Sequence, residues 1–378
     1  MSPSASKDPR VGDAECSLAA RLRERIRRSG PLTFREWMSA ALYDEPEGYY
    51  QRQGAERWGR AGDYRTAPER SALFAATFAR YFTQLYDELS RPRVLHLVEA
   101  GGGAGRFAYG VLKTLRRDAP HVYESLRYVF NEAGADSRRR AAELLAPFAE
   151  RIEFQSLSEM ADRLDYAILF SNELLDALPV HRVTWRDGRL LESFVGLDDV
   201  DDFVFVEGEP TTPRLAEYFE RQGLALEEGQ VAEVNLEVGG WLARAAEVVG
   251  QGFLVTVDYG DEAHALYGAP HRRAGTLRAF RGHEFVADVL RDPGGQDLTT
   301  TVNWTQVVAE GERVGWRARS LERLDAFLLR AGLVEQLELE SARAASEAAV
   351  AALRLDAREM ILPGGMASHF QVLVQHRG

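Results

Sequence analysis

Apolar and polar residues alternate along the chain in a pattern that predicts strands separated by helices from Arg93 onward. The predicted core strands are 94–99, 128–132, 151–155, 166–171 and 252–258. Strands that alternate with helices form a parallel sheet with helices on both faces. Two later segments, 334–339 and 370–374, would complete a seven-stranded sheet as an antiparallel unit. The pattern therefore predicts an α/β fold with a mostly parallel sheet.

The N-terminal region is predicted to be helical after a polar tail of residues 1–16. Helical spacing relates three apolar residues: Leu18, Leu22 and Ile26. Ser17 is placed to cap this helix, and Gly30-Pro31 to end it. Thr33, with Glu36 three residues later, has the spacing of a capping box. Two helices are therefore expected before a long loop, 44–68.

Composition and charge narrow the classes of function. The 378 residues are 45% hydrophobic and 28% charged, values typical of a globular protein with a buried core. A formal net charge of -12 argues against a sequence-independent nucleic-acid binder, which needs a positive surface. Cys16 is the sole cysteine, so no intrachain disulfide or cysteine-rich metal site can form, and no metal is expected. The chain has no apolar run of the roughly 20 residues that span a bilayer, and a cytoplasmic protein is expected.

A glycine-rich segment follows the first predicted core strand: Val98-Glu99-Ala100-Gly101-Gly102-Gly103-Ala104-Gly105. Its glycines allow a sharp turn and a close approach of the backbone to a ligand. A dinucleotide fingerprint that starts at Gly101 would need Gly or Ala where the chain has Arg106. The E-x-G-x-G-x-G pattern instead suits the methionine portion of S-adenosyl-L-methionine. Glu99 could support the loop or hydrogen-bond the ammonium group of this ligand.

Residues after the next two strands are expected to contact the rest of the cofactor. Glu132 ends the second strand, where its carboxylate can accept hydrogen bonds from both ribose hydroxyls. Ser156 and Leu157 follow the third strand and would lie beside the adenine. In the alternative interpretation, the glycines only form a tight strand–helix turn and Glu132 is a solvated acid at a strand end.

The chain resembles the MidA-like methyltransferase family, bacterial relatives of the mitochondrial arginine methyltransferase that acts in assembly of respiratory complex I. The matching segments are 41–44 with 48–50, 62–71, the glycine loop, 171–181, 257–260, 275–278 with His283, 297–299, 365–366 and 370–373. The resemblance implies a Rossmann-like class I methyltransferase fold, S-adenosyl-L-methionine as cofactor, and contact of Thr66 with that cofactor. This chain departs from the family at Gly102, where proline is usual, and at 131–134, where Val-Glu-x-Ser is usual.

Candidate acceptor residues follow the fourth strand, at the sheet edge where open α/β folds place ligands. Asn172 is expected to contact cofactor and acceptor. Methyl transfer to nitrogen needs proximity, orientation and a negative environment for a cationic acceptor, and Glu173 or Asp176 could hold an arginine guanidinium through paired hydrogen bonds. The alternative for Glu173 is an acid in the first turn of a following helix. His283 could form an acid–base pair with Asp297, or make a structural hydrogen bond.

These residues favour a methyltransferase that acts on a protein arginine. Two alternatives stay open: methylation of a small molecule or another peptide group, and a cofactor-binding assembly chaperone without turnover. The residues do not specify the acceptor, the number of methyl groups transferred or the oligomeric state, with a homodimer among the options. Neither nucleic acid nor a membrane is expected as a partner.

This interpretation divides the chain into segments. The methyltransferase core is predicted from 93–179 and 236–261, and C-terminal strands in 326–378 complete it. An N-terminal helical and loop region covers 17–92. The insertion 180–235 begins with a hairpin around Asp187-Gly188, a typical turn sequence. Residues 262–325 are predicted to cover the acceptor side.

Overall fold

The computed structural model of the protein describes residues 17–52, 54, 71–282, 284–362 and 364–378. Its helices are α1 (Leu18–Ser29), α2 (Phe34–Tyr43), α3 (Ala72–Glu88), α4 (Arg106–Asp118), α5 (Pro120–Ser125), α6 (Ala135–Leu145), α7 (Arg214–Arg221), α8 (Val238–Val248), α9 (Ala263–Gly268), α10 (Trp304–Arg313), α11 (Leu324–Arg330), α12 (Leu333–Arg343) and α13 (Glu347–Ile361). None of the helices in these ranges has the length and apolar surface needed to span a bilayer.

The strands, in chain order, belong to three sheets. They are β1 (Leu32–Thr33), β2 (Leu95–Ala100), β3 (Leu126–Asn131), β4 (Ile152–Phe154), β5 (Leu164–Asn172), β6 (His181–Arg186), β7 (Arg189–Leu197), β8 (Phe203–Gly208), β9 (Val231–Val234), β10 (Val249–Asp261), β11 (Arg278–Arg281), β12 (Glu284–Val286), β13 (Asp297–Thr299), β14 (Val302–Asn303), β15 (Arg317–Arg323) and β16 (Phe370–Arg377).

The chain separates into two units. The core unit comprises Gly54–Ala177, Glu237–Leu266 and Thr301–Gly378. The accessory unit comprises Met1–Gln53, Leu178–Leu236 and Tyr267–Thr300. The segment 262–325, predicted as a cover for the acceptor side, is thus divided between the units: residues 262–266 and 301–325 belong to the core unit, and residues 267–300 to the accessory unit.

The core unit is built on a sheet with the strand order β15-β16-β10-β5-β2-β3-β4, and β14 pairs with β10. Strands β4, β3, β2, β5 and β10 run parallel, whereas β16 is antiparallel to β10 and β15. The chain moves from β2 outward to β3 and β4, and then continues on the other side of β2 with β5 and β10. Ligands of open α/β sheets bind at the carboxyl ends of strands beside such a switch point. The predicted α/β class with a mostly parallel sheet is confirmed.

One predicted strand of this sheet is wrong. Residues 334–339 lie in helix α12, and the strand that pairs with β16 is β15. Val334 and Leu339 are 47% and 39% exposed, so the alternation that suggested a strand comes from the outer side of a helix. Strand β15 is a largely exposed, arginine-rich edge strand that pairs through its backbone, and it carries little apolar signal.

Aromatic residues fill the side of the core sheet that packs against α3, α4 and α11. Phe107 of α4 stacks on Phe170 of β5, with 4.3 Å between ring centroids. Phe78 of α3 lies 5.1 Å from Phe170 and 5.2 Å from Phe327 of α11. Each of these buried rings stabilises the fold by about 1.5–3 kcal/mol relative to an exposed one. This packing fixes the position of β5, and so also the position of the residues at its carboxyl end.

The accessory unit confirms the local signals found in the sequence. Ser17 caps α1, and the capping box forms at α2, where Thr33 Oγ1 accepts from the Glu36 amide and Glu36 Oε2 accepts from the Thr33 amide, both at 3.1 Å. The main sheet of this unit has the order β1-β7-β6-β9, with β8 paired to β7. Strands β6 and β7 form the predicted hairpin, and Asp187 and Gly188 at its turn have φ values of 52° and 74°. Two consecutive positive φ values are typical of a type I′ hairpin turn.

Candidate active site

Parallel strands bring distant parts of the sequence to one edge of the core sheet. The parallel strands end, in chain order, at Ala100, Asn131, Phe154, Asn172 and Asp261. Because the strands share a direction, these carboxyl ends lie at the same edge. The glycine loop follows β2, Glu132 follows β3, and Asn172 and Glu173 stand at the end of β5. The segments selected from the sequence therefore follow neighbouring strands.

The glycine loop between β2 and α4 has a backbone conformation that residues other than glycine rarely adopt. Gly101, Gly103 and Gly105 have φ values of 74°, 54° and 81°, in the left-handed region that favours glycine. The Gly101 amide donates to the Asn131 carbonyl at 2.8 Å, which ties the loop to the end of β3. Gly105 is the N-cap of α4, so the loop leads into the amino end of a helix. The amino end of a helix suits an anionic or polar ligand group.

Gly102 is required for a different reason, which accounts for the departure from the proline usual in the family. A Cβ atom at this position would lie 2.3 Å from Cε2 and 2.5 Å from Cζ of Phe130. Phe130 is fully buried and packs against Phe154, with 5.2 Å between ring centroids. The ring therefore occupies the space that a side chain at position 102 would need.

Glu132 links the glycine loop to the turn after β3. Its Oε2 accepts from the Gly103 amide at 2.9 Å, and its Oε1 accepts from the Gly134 amide at 2.7 Å. The carboxylate is therefore fixed beside the loop, where the chain was expected to bind the ribose. A side-chain-free loop and a carboxylate held next to it fit an adenosyl cofactor. The contact of Glu132 with the ribose stays a prediction.

Glu99, the last residue but one of β2, is 4% exposed. Tyr128 Oη, on the neighbouring strand β3, donates to Glu99 Oε2 at 2.7 Å. Burial raises the pKa of Glu99 to about 8, although the hydrogen bond from Tyr128 lowers it and the Glu132 charge adds a further increase. Tyr128 was not selected from the sequence. The only signal for it was that alternation along β3 puts its side chain on the same face as Phe130.

The segment after β5 forms a turn and not a helix, so the interpretation of Glu173 as a helix-start acid is wrong. Glu173 has a φ of 52°, a left-handed conformation that is uncommon outside glycine. Its amide donates to the Val257 carbonyl at 2.9 Å, and its Oε1 accepts from Asn172 Nδ2 at 2.9 Å. Asn172 Oδ1 is buried and has no hydrogen-bond partner within the described ranges. We call residues 172–176 the acceptor turn.

Asp258 in β10 lies beside the acceptor turn and was not selected as a site residue from the sequence. It is fully buried, and its Oδ2 accepts from the Leu175 amide at 2.9 Å and the Asp176 amide at 3.3 Å. Burial, followed by the charges of Asp176 and Glu173, raises the pKa of Asp258 well above its usual value. The available sequence signal was its place in the segment 257–260 that resembles the family.

The remaining predicted site residues lie outside the glycine loop and the acceptor turn. Thr66 and His283 lie outside the described residues. Asp297, the proposed partner of His283, accepts from Tyr50 Oη at 2.9 Å in the accessory unit. Ser156 precedes a short 3₁₀ turn after β4, and the carbonyl of the buried Leu157 accepts from Arg244 at 2.9 Å. In the part of the chain that the structure describes, no group of three or more His, Cys, Asp or Glu residues is arranged to hold a metal ion.

Comparisons with known proteins identify the family. Residues 77–321 match the family of S-adenosyl-L-methionine-dependent methyltransferases. The chain is 29% identical over 331 residues to the protein arginine methyltransferase NDUFAF7 homolog, mitochondrial, of Drosophila melanogaster, covering 81% of this chain and 72% of that protein. It is 24% identical to protein arginine methyltransferase NDUFAF7, mitochondrial, of Mus musculus, covering 82% and 73%.

A solved structure from Burkholderia thailandensis, bound to S-adenosyl-homocysteine, superimposes on this chain with a TM-score of 0.85 at 26% sequence identity. The match covers 99% of this chain and 95% of that one. These findings confirm the predicted family, the cofactor and the fold. The chain belongs to the S-adenosyl-L-methionine-dependent methyltransferase family and is a MidA-like methyltransferase with a Rossmann-like core.

Proposed function

We propose that this methyltransferase acts on a nitrogen of a protein arginine side chain. The observation that carries the proposal is the acceptor turn, which brings together Asn172, Glu173 and the buried Asp176 at the carboxyl end of β5, next to the glycine loop's strand. Acidic side chains at this edge suit a cationic acceptor. The names of the fly and mouse relatives support the same substrate class, at 29% and 24% identity.

The cofactor would be held by residues at, or just after, the carboxyl ends of β2, β3, β4 and β5. We assign this role to Glu99, Gly101, Gly102, Gly103, Gly105, Glu132, Ser156, Leu157 and Asn172, together with Thr66. When bound, S-adenosyl-L-methionine supplies an electrophilic methyl group on a positively charged sulfur. The loop glycines let the backbone approach the ligand without side-chain obstruction, and Glu132 provides hydrogen-bond acceptors for hydroxyls.

The acceptor turn would orient the guanidinium and polarise it. A carboxylate such as Glu173 or Asp176 can accept two parallel N–H donors of a guanidinium. Such a pair draws positive charge toward the carboxylate and away from the nitrogen that attacks the methyl group. Asn172 Oδ1, a buried acceptor without a partner in the described residues, is suited to a further N–H of the substrate. The turn thus supplies orientation and electrostatic stabilisation, the main needs of this displacement.

The acceptor class is tested with purified enzyme, methyl-labelled S-adenosyl-L-methionine and a lysate of cells that lack the gene. Hydrolysis of the labelled protein and amino-acid analysis should recover the label in methylarginine. Label in another amino acid or in a small molecule would replace the arginine proposal with one of the other acceptor classes. Cofactor binding with no label transferred to any component would favour the chaperone.

Glu173 is tested by the substitution Glu173→Gln. The glutamine keeps an oxygen that can accept from Asn172 Nδ2, so the turn is preserved while the charge is removed. Methyl transfer should fall by about 10²-fold, as when a group that stabilises the transition state is lost, and affinity for S-adenosylhomocysteine should change little. Glu338→Gln on the exposed side of α12 is the matched control and should keep full activity. Unchanged turnover in Glu173→Gln would contradict the assigned role, and a weaker cofactor affinity would place Glu173 in the cofactor pocket.

A further inference from the structure

The end of β10 makes contacts to the acceptor turn that go beyond ordinary strand pairing. Strands β5 and β10 are parallel neighbours, and their register ends with Asn172 opposite Val257. One residue further on, the Glu173 amide still donates to the Val257 carbonyl at 2.9 Å. The chain then leaves the sheet with Glu173 in the left-handed region. Beyond this point the turn lies outside the register of β5 and β10, and its buried amides still require hydrogen-bond acceptors.

Asp258 supplies those hydrogen bonds. Its Oδ2 accepts from two consecutive amides of the turn, Leu175 at 2.9 Å and Asp176 at 3.3 Å, and its Oδ1 accepts from the amide of Tyr259 at 2.8 Å. One carboxyl group therefore connects the acceptor turn to the backbone of β10. Since Asp258 has no exposed surface, no water competes directly for these acceptors.

A buried carboxyl group at this place is costly, which argues that its contacts matter. Asp176 is 3% exposed, and the charges of Asp176 and Glu173 both act on Asp258. Like charges and desolvation both disfavour the ionised form, so Asp258 holds its proton to a higher pH than an exposed aspartate. A leucine or valine would avoid this cost. Neither could accept from the amides of the turn.

We propose that Asp258 is a positioning residue for methyl transfer, which fixes the acceptor turn through the amides of Leu175 and Asp176 and so sets the place of Asn172 and Glu173. This inference rests on the proposed function, because the turn is the element that would hold the acceptor. Asp258 acts through the backbone and does not contact the substrate. A displacement of about 1 Å in a positioned group can lower a rate by about 10²-fold, so loss of these hydrogen bonds should reduce the rate far more than cofactor affinity.

The test compares Asp258→Asn and Asp258→Ala with Thr256→Val. Asparagine keeps one oxygen for the turn, whereas alanine keeps none. Thr256 lies two residues earlier on the same face of β10 and is 1% exposed, and within the described ranges its Oγ1 has no hydrogen-bond partner. The valine variant therefore changes a buried polar side chain of the same strand without removing a hydrogen bond to the acceptor turn.

Hydrogen exchange of the peptide that covers residues 172–177 measures the contact directly, and it needs no acceptor. Exchange should be faster in both Asp258 variants, more so in the alanine variant, and unchanged in Thr256→Val. The kcat for methyl transfer should fall by about 10-fold in the asparagine variant and by about 10²-fold in the alanine variant. The KM for S-adenosyl-L-methionine and the calorimetric Kd for S-adenosylhomocysteine should stay within about 3-fold, a shift of about 0.65 kcal/mol.

Unchanged exchange in Asp258→Ala, or unchanged kcat with faster exchange, would overturn the proposal. An equal loss of cofactor affinity and rate would also overturn it, in favour of a cofactor role. If the alanine variant does not fold, the asparagine variant decides by the same criteria. Failure of the arginine proposal is recognised separately: the label then appears outside arginine, while the exchange results and the dependence of kcat on Asp258 still apply to the acceptor found.

Discussion

Replacing Glu99 by glutamine should make the free energy of unfolding less dependent on pH between 4.5 and 8. Glu99 is buried at the carboxyl end of β2 and accepts a hydrogen bond of 2.7 Å from Tyr128 Oη. Burial raises the pKa of its carboxyl group from 4.5 to about 8. Glutamine has the same size and keeps an oxygen that can accept from Tyr128, but it does not ionise. The substitution therefore isolates the effect of the charge.

The size and sign of the effect follow from linkage. At pH 4 and below, the carboxyl group is protonated in both the folded and the unfolded chain, and its burial costs least. Between pH 4.5 and 8 the unfolded chain ionises while the folded chain stays protonated, so the free energy of unfolding falls by about 1.4 kcal/mol per pH unit from this group. The upper limit over the interval is about 5 kcal/mol. Above pH 8 both states are ionised and the loss is complete.

The measurement is urea denaturation of the wild type and Glu99→Gln at each pH from 5 to 9, with the midpoint and the slope determined separately. The stability of the variant relative to the wild type should rise across this range and level off above pH 8. Tyr128→Phe removes the hydrogen bond that lowers the pKa of Glu99 and should extend the rise to higher pH. Parallel curves for the wild type and Glu99→Gln would refute the claim that Glu99 is protonated in the folded protein at neutral pH.

Two further substitutions test the glycine loop. Gly102→Ala should destabilise the core unit, because its Cβ would lie 2.3 Å from Phe130 Cε2, and the double variant with Phe130→Ala should lose less stability than the sum of the single variants in thermal melts. Gly103→Val should weaken S-adenosylhomocysteine binding in calorimetry, since Gly103 has a φ of 54° and lies in the loop predicted to approach the cofactor. Wild-type affinity in a folded Gly103→Val protein would contradict that placement.

Local signals in the sequence predicted much of the fold because they depend on neighbouring residues. The capping box of Thr33 and Glu36 and the hairpin at Asp187-Gly188 each need only a few residues, and both form. Strand β15 gave no such signal, since an edge strand that pairs on one side need not be apolar. The short segment 334–339 fits both the strand and the helix period, so its periodicity does not distinguish the two structures.

Residues of the candidate site could be predicted only where they belong to a local sequence motif or directly follow a predicted strand. The sequence indicates the order of strands and loops, and this order is enough to predict the glycine loop and the acids at the ends of strands. The roles of Tyr128 and Asp258 depend on which strands are neighbours and in what register, and these are tertiary facts. Glu173 shows this limit within one segment. The sequence motif selects the residue, but the alternative that it starts a helix is wrong, because hydrogen bonds to β10 hold the segment as a turn.

Because several acids of the core unit are buried, its negative charge is smaller than a count of its acidic residues suggests. The structure places five carboxyl groups at or near the carboxyl ends of the parallel strands: Glu99, Glu132, Glu173, Asp176 and Asp258. Burial raises the pKa of Glu99 and of Asp258, and the charges of neighbouring acids raise both further. Both groups therefore tend to hold protons, which limits the repulsion that this edge would otherwise place on folding. A cation within about 4–6 Å of either group would lower its pKa and favour release of the proton, so a cationic ligand at this edge would meet more negative charge than the ligand-free protein carries. Binding of a positively charged ligand and a stable ligand-free fold are thus compatible, because the raised pKa of each buried acid favours its protonated form when the ligand is absent.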